Sequence, residues 1–493
     1  MFAQGGRRMQ FKSRLRAAAR GAGRCAAILI LTLGAAETQG QFTAHDPGVR
    51  GGTVGAGKTI APLTADQSVA FTEALSRFTE VDSVSGSLPG EAGAGLGPRF
   101  NSNSCASCHA QPTVGGSSPS ASQFPFVGPN PQVAVATLDG AQNHLPFFVS
   151  PDGPVREARF PFVVSSSGGL TNVPDGGVHD LFTITGRVDA TAAPGPNGTP
   201  QTCTLAQPNF AQMHQMGNLI FRIPTPLFGA GLIENIDEQT ILANMAANSA
   251  AKSALGISGQ PNRNGNDGTI TRFGWKAQNK SLTIFGGEAY NVEQGVSNEV
   301  FESERPSPGE TLPYSCIFNG TPEDHTNVDQ PNPQMMSDVT GFATFMRFLD
   351  QPTPSTHAPG GAASINNGRM LFTNAVQCAL CHTPTLKTGA SSMNAALNYQ
   401  NANLYSDLLV HHMGTGLADN VSQGAAGPDQ FRSAPLWGLG QRVFFLHDGR
   451  TSDLLNAIQQ HAGRGSEANA VIQRFNRLSE SQKQDLLNFL RSL

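Results

Sequence analysis

Cys378-Ala379-Leu380-Cys381-His382 decides how the rest of the chain is read. Two cysteines two residues apart, with a histidine directly after, form the attachment signature of a c-type haem. Each thiol adds across one haem vinyl group, and the histidine is placed to ligate the iron. The motif recurs at Cys105-Ala106-Ser107-Cys108-His109, so four of the seven cysteines serve two copies of one pattern. A lone CxxC reads equally well as a zinc knuckle or a redox dithiol. Two CxxCH copies behind an export-like N-terminus point instead to two covalently bound haem c groups. His109 and His382 are then the proximal iron ligands.

Composition narrows the class further. The formal net charge is -4, with 32 basic and 36 acidic residues, which gives nucleic acid nothing to hold. With 55 glycines, 33 prolines and 39% hydrophobic residues, the chain is rich in loops, and large apolar cofactors would supply part of its core. The expected fold is mainly α with extensive loops and minor β: two cytochrome c-like haem domains, the first carrying a large irregular insertion. Residues 1–40 read as a cleaved signal peptide. Arg7, Arg8, Lys12, Arg14, Arg16, Arg20 and Arg24 precede the short apolar run Ala26 to Ala36 and the small residues near Gly40. That run is too short to span a bilayer comfortably, and no second apolar segment approaches a span, so the mature chain is expected to be soluble and periplasmic. Cys25 leaves with the signal. Cys203 and Cys316 remain, a candidate disulfide in an oxidising compartment.

In chain order, the N-terminal haem domain is assigned to 41–350, with the insertion at 110–330, and the C-terminal cytochrome c domain to 351–493. Thr64 to Glu80 reads as an amphipathic helix with Phe71, Leu75 and Phe78 on one face. A Ser/Gly-rich stretch, 84–97, separates it from CASCH. The insertion holds short β-prone runs such as Phe160 to Val164 and one clear helix, Asp237 to Leu255. Arg222 to Leu232 carries prolines and glycines that suit close backbone approach to a flat group. Ser337 to Asp350 is helical, and Pro352 and Pro354 end it. Ser364 to Ala375 is a helix before CALCH, Leu454 to His461 a short one, and the last opens on the Ser479-x-x-Gln482 capping box.

CASCH and CALCH, together with Phe444-Phe445-Leu446-His447-Asp448-Gly449-Arg450, resemble the bacterial di-haem cytochrome c peroxidase superfamily, which includes di-haem enzymes that oxidise amine dehydrogenase precursors. The closer likeness is to its di-haem oxidoreductase branch, also labelled thiol oxidoreductase. It is carried by GLGPRFNSNSCASCHAQPTVGG (Gly95 to Gly116), RFGWKAQNKSL (Arg272 to Leu282), CALCHTPTLKTG (Cys378 to Gly389), YSDLLVHHMGTGLAD (Tyr405 to Asp419) and APLWGLG (Ala434 to Gly440). The resemblance implies a distal ligand at a fixed step beyond HDG, methionine in the peroxidases and tyrosine in the precursor-oxidising enzymes. Here that step lands on His461, giving a bis-histidine haem; Met413 is the alternative ligand. Histidine in place of methionine lowers the potential. The displaceable histidine that the peroxidases keep after the first motif is missing from Ser120 to Phe126. The first haem is therefore open, or takes a ligand from farther away among His144, His179, His214, Met213 and Met216.

An acid beside an open haem could move the proton needed for O–O cleavage, and Glu288 and Glu293 in EAYNVEQG are the candidates. His447, Asp448 and Arg450 are expected to anchor structure, with Arg450 free to pair with a haem propionate. Trp437 is placed as an aromatic between the haems. The expected function is a periplasmic di-haem oxidoreductase of peroxidase type, with one relay haem and one reactive haem. Its partners would be hydrogen peroxide or another substrate and a small electron-donor or acceptor protein, a cytochrome c or cupredoxin. Calcium is a candidate third cofactor. The alternatives are a non-catalytic electron-transfer cytochrome, and a thiol-oxidising factor working through Cys203 and Cys316.

Overall fold

The structure is a computed structural model that describes residues 42–83, 95–121, 125, 127–184, 203–307, 310–317, 324–391 and 394–493. The signal read over 1–40, with Cys25, lies outside the described residues, as does most of the 84–97 stretch. Residues 43–493 gather into one unit. Among the described residues it is mainly helical, with five two-stranded antiparallel sheets. Arg99–Phe100 pairs with Phe182–Thr183, Glu157–Arg159 with Ile220–Arg222, and Phe162–Val164 with Leu170–Pro174. Leu386–Lys387 pairs with Asn401–Ala402, and Val410–His412 with Gln430–Arg432. No helix among the described residues is long and apolar enough to cross a membrane.

The first long helix, Ala65–Thr79, starts on a capping box in which Thr64 and Gln67 satisfy each other's backbone amides. Its apolar face meets the helix Asp338–Phe348: Phe78 stacks on Phe345 with ring centres 4.4 Å apart, and Phe71 stacks on the same ring at 5.7 Å. At the far end of the chain, Gly361–Met370 continues as a π-helical turn, Leu371–Ala375, directly before CALCH. The closing helix Glu480–Ser492, capped by Ser479 and Gln482, lies across it. The crossing is close because of Gly368, where an added Cβ would stand 2.0 Å from the Asp485 carbonyl oxygen. Phe78, Phe345, Phe372 and Phe489 are each no more than 3% exposed. Burying each contributes about 1.5–3 kcal/mol.

Two expectations need correction. Asp237 to Leu255 is two helices, Glu238–Ala246 and Ser249–Leu255, because Ala247 is extended and Asn248 turns left-handed at φ 57°. Asparagine tolerates that conformation at little cost. The insertion also holds a second substantial helix, Leu282–Ala289, running on as a π-helical turn, Tyr290–Gln294. The Gly286-Gly287 pair hides it from a reading by periodicity. In the structure the pair makes room: a Cβ on Gly287 would crowd Asn298 and Val300 at 3.1 Å.

Three apolar cores organise the unit. One gathers Phe78, Phe228, Leu282, Phe342, Phe345 and Trp437; a second gathers Leu96, Phe100, Phe148, Phe182, Cys203 and Cys316; the third gathers Phe372, Leu380, Phe475, Leu486 and Phe489. Cys203 and Cys316 are disulfide-bonded and no more than 2% exposed. Their burial denies them the access that thiol exchange requires.

Candidate functional site

CASCH folds as a single helical turn, Cys105–Cys108, and delivers both thiols and His109 to a cavity with about 1140 Å³ of empty space. Further walls come from Pro224, Thr225 and Leu227 and from the Leu282–Gln294 helix. The Arg222 to Leu232 run thus supplies part of the cavity wall. His109 Nδ1 donates to the Gly116 carbonyl at 3.0 Å, which presents Nε2 as the lone-pair nitrogen. Burial pushes the imidazole pKa down to about 4, so the ring is neutral.

CALCH builds the same arrangement in a second cavity, with about 1400 Å³ of empty space. His382 Nδ1 donates to the Tyr405 carbonyl at 3.0 Å. Burial, helped by nearby His461, lowers its pKa to about 4. His461 follows the helix Leu454–Gln459 and donates from Nδ1 to the Ala457 carbonyl at 2.8 Å. Its ring centre stands 6.5 Å from that of His382, at an interplanar angle of 61°. Met413 lines the cavity too, on a strand-edge segment whose backbone N–H donates to Asp429.

The donor chemistry fits haem. Burial raises Cys105 well above its ordinary pKa, Cys108 to about 11 and Cys378 to about 12. Without a bound group these cysteines are therefore neutral thiols, the form that adds across a vinyl group. Among the described residues no group of three or more His, Cys, Asp or Glu converges as a metal cage would require. The second cavity also holds Arg432 and Arg442, both buried and neither paired with a carboxylate among the described residues. Burial, and for Arg432 the neighbouring Arg442 charge, lowers both to about 10. Arg442 Nε has no hydrogen-bond partner. Two unpaired guanidiniums facing a cavity call for an anion, and haem propionates are such anions.

The first cavity is the more polar. Glu157, Arg159, Arg222, Gln278, Glu288, Tyr290 and Glu293 all line it. Glu293 Oε2 accepts from Asn101 Nδ2 at 2.9 Å, and the Glu293 carbonyl accepts from the Asn101 and Ser102 amides. These bonds tie the segment before CASCH to the π-helical turn. Burial, then the Glu157 charge, pushes the Glu293 carboxyl up to about 8. Glu288 also faces the cavity and accepts from the Asn279 side-chain amide. Among the described residues His109 is the one imidazole in the lining, and Met346, the one thioether, packs against Gly286.

The five remote ligand candidates for this haem do not line the cavity. His179 stacks on Phe160 at 3.8 Å and bonds Asp175, while Met213 is buried in the second core with Met216 at its edge. His214 lies against Phe147, and His144 is exposed. Residues 122–124 and 126, within the segment examined for a displaceable histidine, lie outside the described residues.

Trp437 is buried against Gly229 and lines neither cavity; the tryptophan common to both linings is Trp275. Its indole N–H donates to the Ile223 carbonyl at 2.9 Å. His447 stacks on Phe431 at 4.3 Å and meets Trp275 edge-on at 6.4 Å, so the HDG segment buttresses that indole. Asp448 pairs with Arg450 at 2.7 Å, and Arg450 also donates to the Gly416 carbonyl. Neither lines the second cavity, whereas Arg432 and Arg442 do.

Sequence reasoning also missed a buried triad. His411 donates from Nε2 to Asp407 at 3.0 Å and from Nδ1 to Glu467 at 2.9 Å. Ionised carboxylates only accept, so both nitrogens carry protons and the ring is an imidazolium. Burial opposes this charge, but Asp407 overcomes it and raises the His411 pKa well above its ordinary value. The ring sits 3.8 Å from Cys381 Sγ. YSDLLVHH carries the pair at helical spacing, but on extended backbone, so periodicity gave no warning.

A fold with two thiol-and-imidazole cavities sharing one indole wall defines a di-haem redox protein. The family model described as "Di-haem oxidoreductase, putative peroxidase" matches residues 173–493, and the chain belongs to that family. Membership implies two haems and oxidoreductase chemistry. No curated protein matches the chain significantly. Among solved structures the chain is similar to the hydrazine synthase of Kuenenia stuttgartiensis, pressurised with xenon (17% identity, 32% of this chain and 55% of that one, TM-score 0.21). It is similar to a MauG-like protein associated with microbial copper homeostasis (18% identity, 32% and 52%, TM-score 0.22). It is also similar to the diheme peroxidase BthA from Burkholderia thailandensis (13% identity, 45% and 65%, TM-score 0.25). The chain spans less than two thirds of each, and at these TM-scores the likenesses carry no argument.

Proposed function

We propose that the protein is an exported, periplasmic di-haem peroxidase in which the CALCH haem relays electrons and the CASCH haem is reactive. The observation that carries this reading is the asymmetry of the two cavities. His461 stands across from His382, whereas the lining around His109 offers no second imidazole and instead gathers carboxyls. Two imidazoles bound to one metal at about 2 Å from opposite sides place their ring centres roughly 6–6.5 Å apart. The 6.5 Å separation of His382 and His461 favours the bis-histidine pair over Met413. The disulfide and the basic, then apolar, N-terminus support export. Pro352 remains the proposed junction of the two haem-binding parts, and a small cytochrome or cupredoxin the proposed donor.

Haem, once attached, supplies the one-electron chemistry and an iron position for peroxide. The chain does the rest. Neutral His109, its Nδ1 tied to Gly116, would hold the iron through Nε2. Glu293 keeps Oε2 on Asn101 and presents Oε1, which takes a proton from peroxide and returns it to the leaving oxygen. Trp275, shared by both linings, would carry electrons between the cavities, and Arg432 and Arg442 would hold the second cofactor by its carboxylates.

Absorption and EPR spectra of the di-haem protein test the assignment. His461→Ala converts one of the two haems from low-spin to high-spin, while Met413→Leu leaves both spectra unchanged. The reverse pattern would assign the ligand to Met413. A wild-type protein with both irons six-coordinate in every redox state, and no peroxide turnover, would leave the electron-carrier reading in its place.

A further inference from the structure

The chain has four tyrosines. Tyr314 and Tyr399 are exposed and Tyr405 is half-buried, but Tyr290 is 7% exposed and lines the first cavity. It opens the π-helical turn that also carries Glu293. The ring is fixed edge-on against Phe342 at 5.0 Å. Its O–H donates to Asp338 Oδ2 at 3.1 Å. Asp338 lies in the first turn of the helix Asp338–Phe348, is held by Arg77, and keeps 22% of its side chain exposed. The phenol therefore faces the cavity with its ring and a solvent-connected carboxylate with its hydroxyl.

Burial, and the charges of Asp82 and Asp338, push the phenol pKa well above its ordinary value, so the neutral hydroxyl persists at working pH. An electron can then leave the ring readily only if the proton leaves with it. Asp338 is a fixed acceptor for that proton. Trp275, the other oxidisable ring in the cavity, donates to a backbone carbonyl, a far weaker base.

We propose that Tyr290 is a redox-active residue of the first cavity, giving an electron to the peroxide-oxidised haem site and its proton to Asp338. The proposal rests on the peroxidase reading above and extends it to a radical carried by the protein. Hydrogen peroxide is the oxidant and takes two electrons and two protons to become two waters. In the Tyr290 step the phenolic O–H bond breaks, and an O–H bond forms on the Asp338 carboxyl. One electron reduces one of the two oxidising equivalents that peroxide leaves behind. A phenoxyl radical remains on Tyr290 until a substrate or donor electron, with the Asp338 proton, restores the phenol. The cavity would thus store an oxidising equivalent at its wall, next to a route to the surface.

The test treats the di-haem protein with one equivalent of hydrogen peroxide, freezes it rapidly, and records EPR together with haem absorption, using ordinary and ring-deuterated tyrosine. The expected result is a radical signal that narrows on ring deuteration and is lost in Tyr290→Phe, yet persists in Tyr314→Phe, Tyr399→Phe and Tyr405→Phe. Asp338→Asn slows its formation about a hundredfold, the low end for loss of a positioned proton acceptor. Should Tyr290→Phe fail to fold, spin-trapping of the wild type followed by peptide mapping places the adduct on Tyr290. A haem spectrum that responds to peroxide without a Tyr290 radical overturns the relay alone. A haem spectrum that does not respond overturns the peroxidase reading and the relay with it.

Discussion

Glu293→Gln separates a working acid from a bystander. With its carboxyl pushed up to about 8 by burial and Glu157, Glu293 is ionised in only roughly one molecule in ten at pH 7. If the carboxylate is the base that accepts the peroxide proton, kcat/KM for hydrogen peroxide rises about tenfold from pH 7 to a plateau above pH 8. Glutamine keeps the size and an oxygen for Asn101 but cannot take a proton. The variant should lose about 10²–10⁴-fold in kcat/KM and lose the rising limb as well. Glu288→Gln keeps the limb. The same group leaves a stability signature. Its folded pKa lies above the unfolded value of 4.5, so the native state binds the extra proton between about pH 4.5 and 8. This group's contribution to native stability therefore falls as pH rises through that window, and urea unfolding of Glu293→Gln should show a shallower fall than the wild type, since Asp324, raised to about 6, still contributes. A variant that stays within about threefold of the wild-type rate, with its limb intact, would place the base elsewhere.

The other predictions concern framework and wiring. Trp275→Phe should keep both haem spectra while slowing electron passage from the second haem to the first, as read by stopped-flow reduction. Unchanged transfer would remove the shared indole from the route. Gly368→Ala puts a methyl group 2.0 Å from the Asp485 carbonyl, so it should destabilise the protein by about 1–3 kcal/mol or more in urea unfolding. Arg442→Leu should lower the stability of the haem-loaded protein by about 3 kcal/mol, the low end for stripping a buried charge of its partner. A neutral effect would mean that the propionates lie elsewhere.

The residues that act locally were legible in the sequence. CASCH and CALCH each bring two thiols and an imidazole to one cavity, and Thr64 with Gln67 and Ser479 with Gln482 form the capping boxes their patterns predict. Phe78 falls on the buried face that periodicity assigns to it. The misses arise where a residue's role depends on partners far away in the chain. Gly286-Gly287 reads as a turn until the helix Asp338–Phe348 is packed against it. The sequence points to Trp437 as the aromatic between the haems, and only the third dimension puts Trp275 on both cavities instead. Arg450 looked like the propionate partner because it follows HDG, but its fork is taken by Asp448. His411 reads as one of a histidine pair, since Asp407 and Glu467 meet it only in the folded chain.

Arg432 and Arg442 have a consequence for assembly. A chain that closed the second cavity before its cofactor arrived would bring two guanidiniums out of water and against each other with no counter-charge. Carboxylates entering the cavity would supply that counter-charge and relieve the repulsion. Filling the cavity with such an anion should therefore steady the region that the closing helix Glu480–Ser492 completes, where Leu486, Phe489 and Leu490 pack beside the CALCH segment.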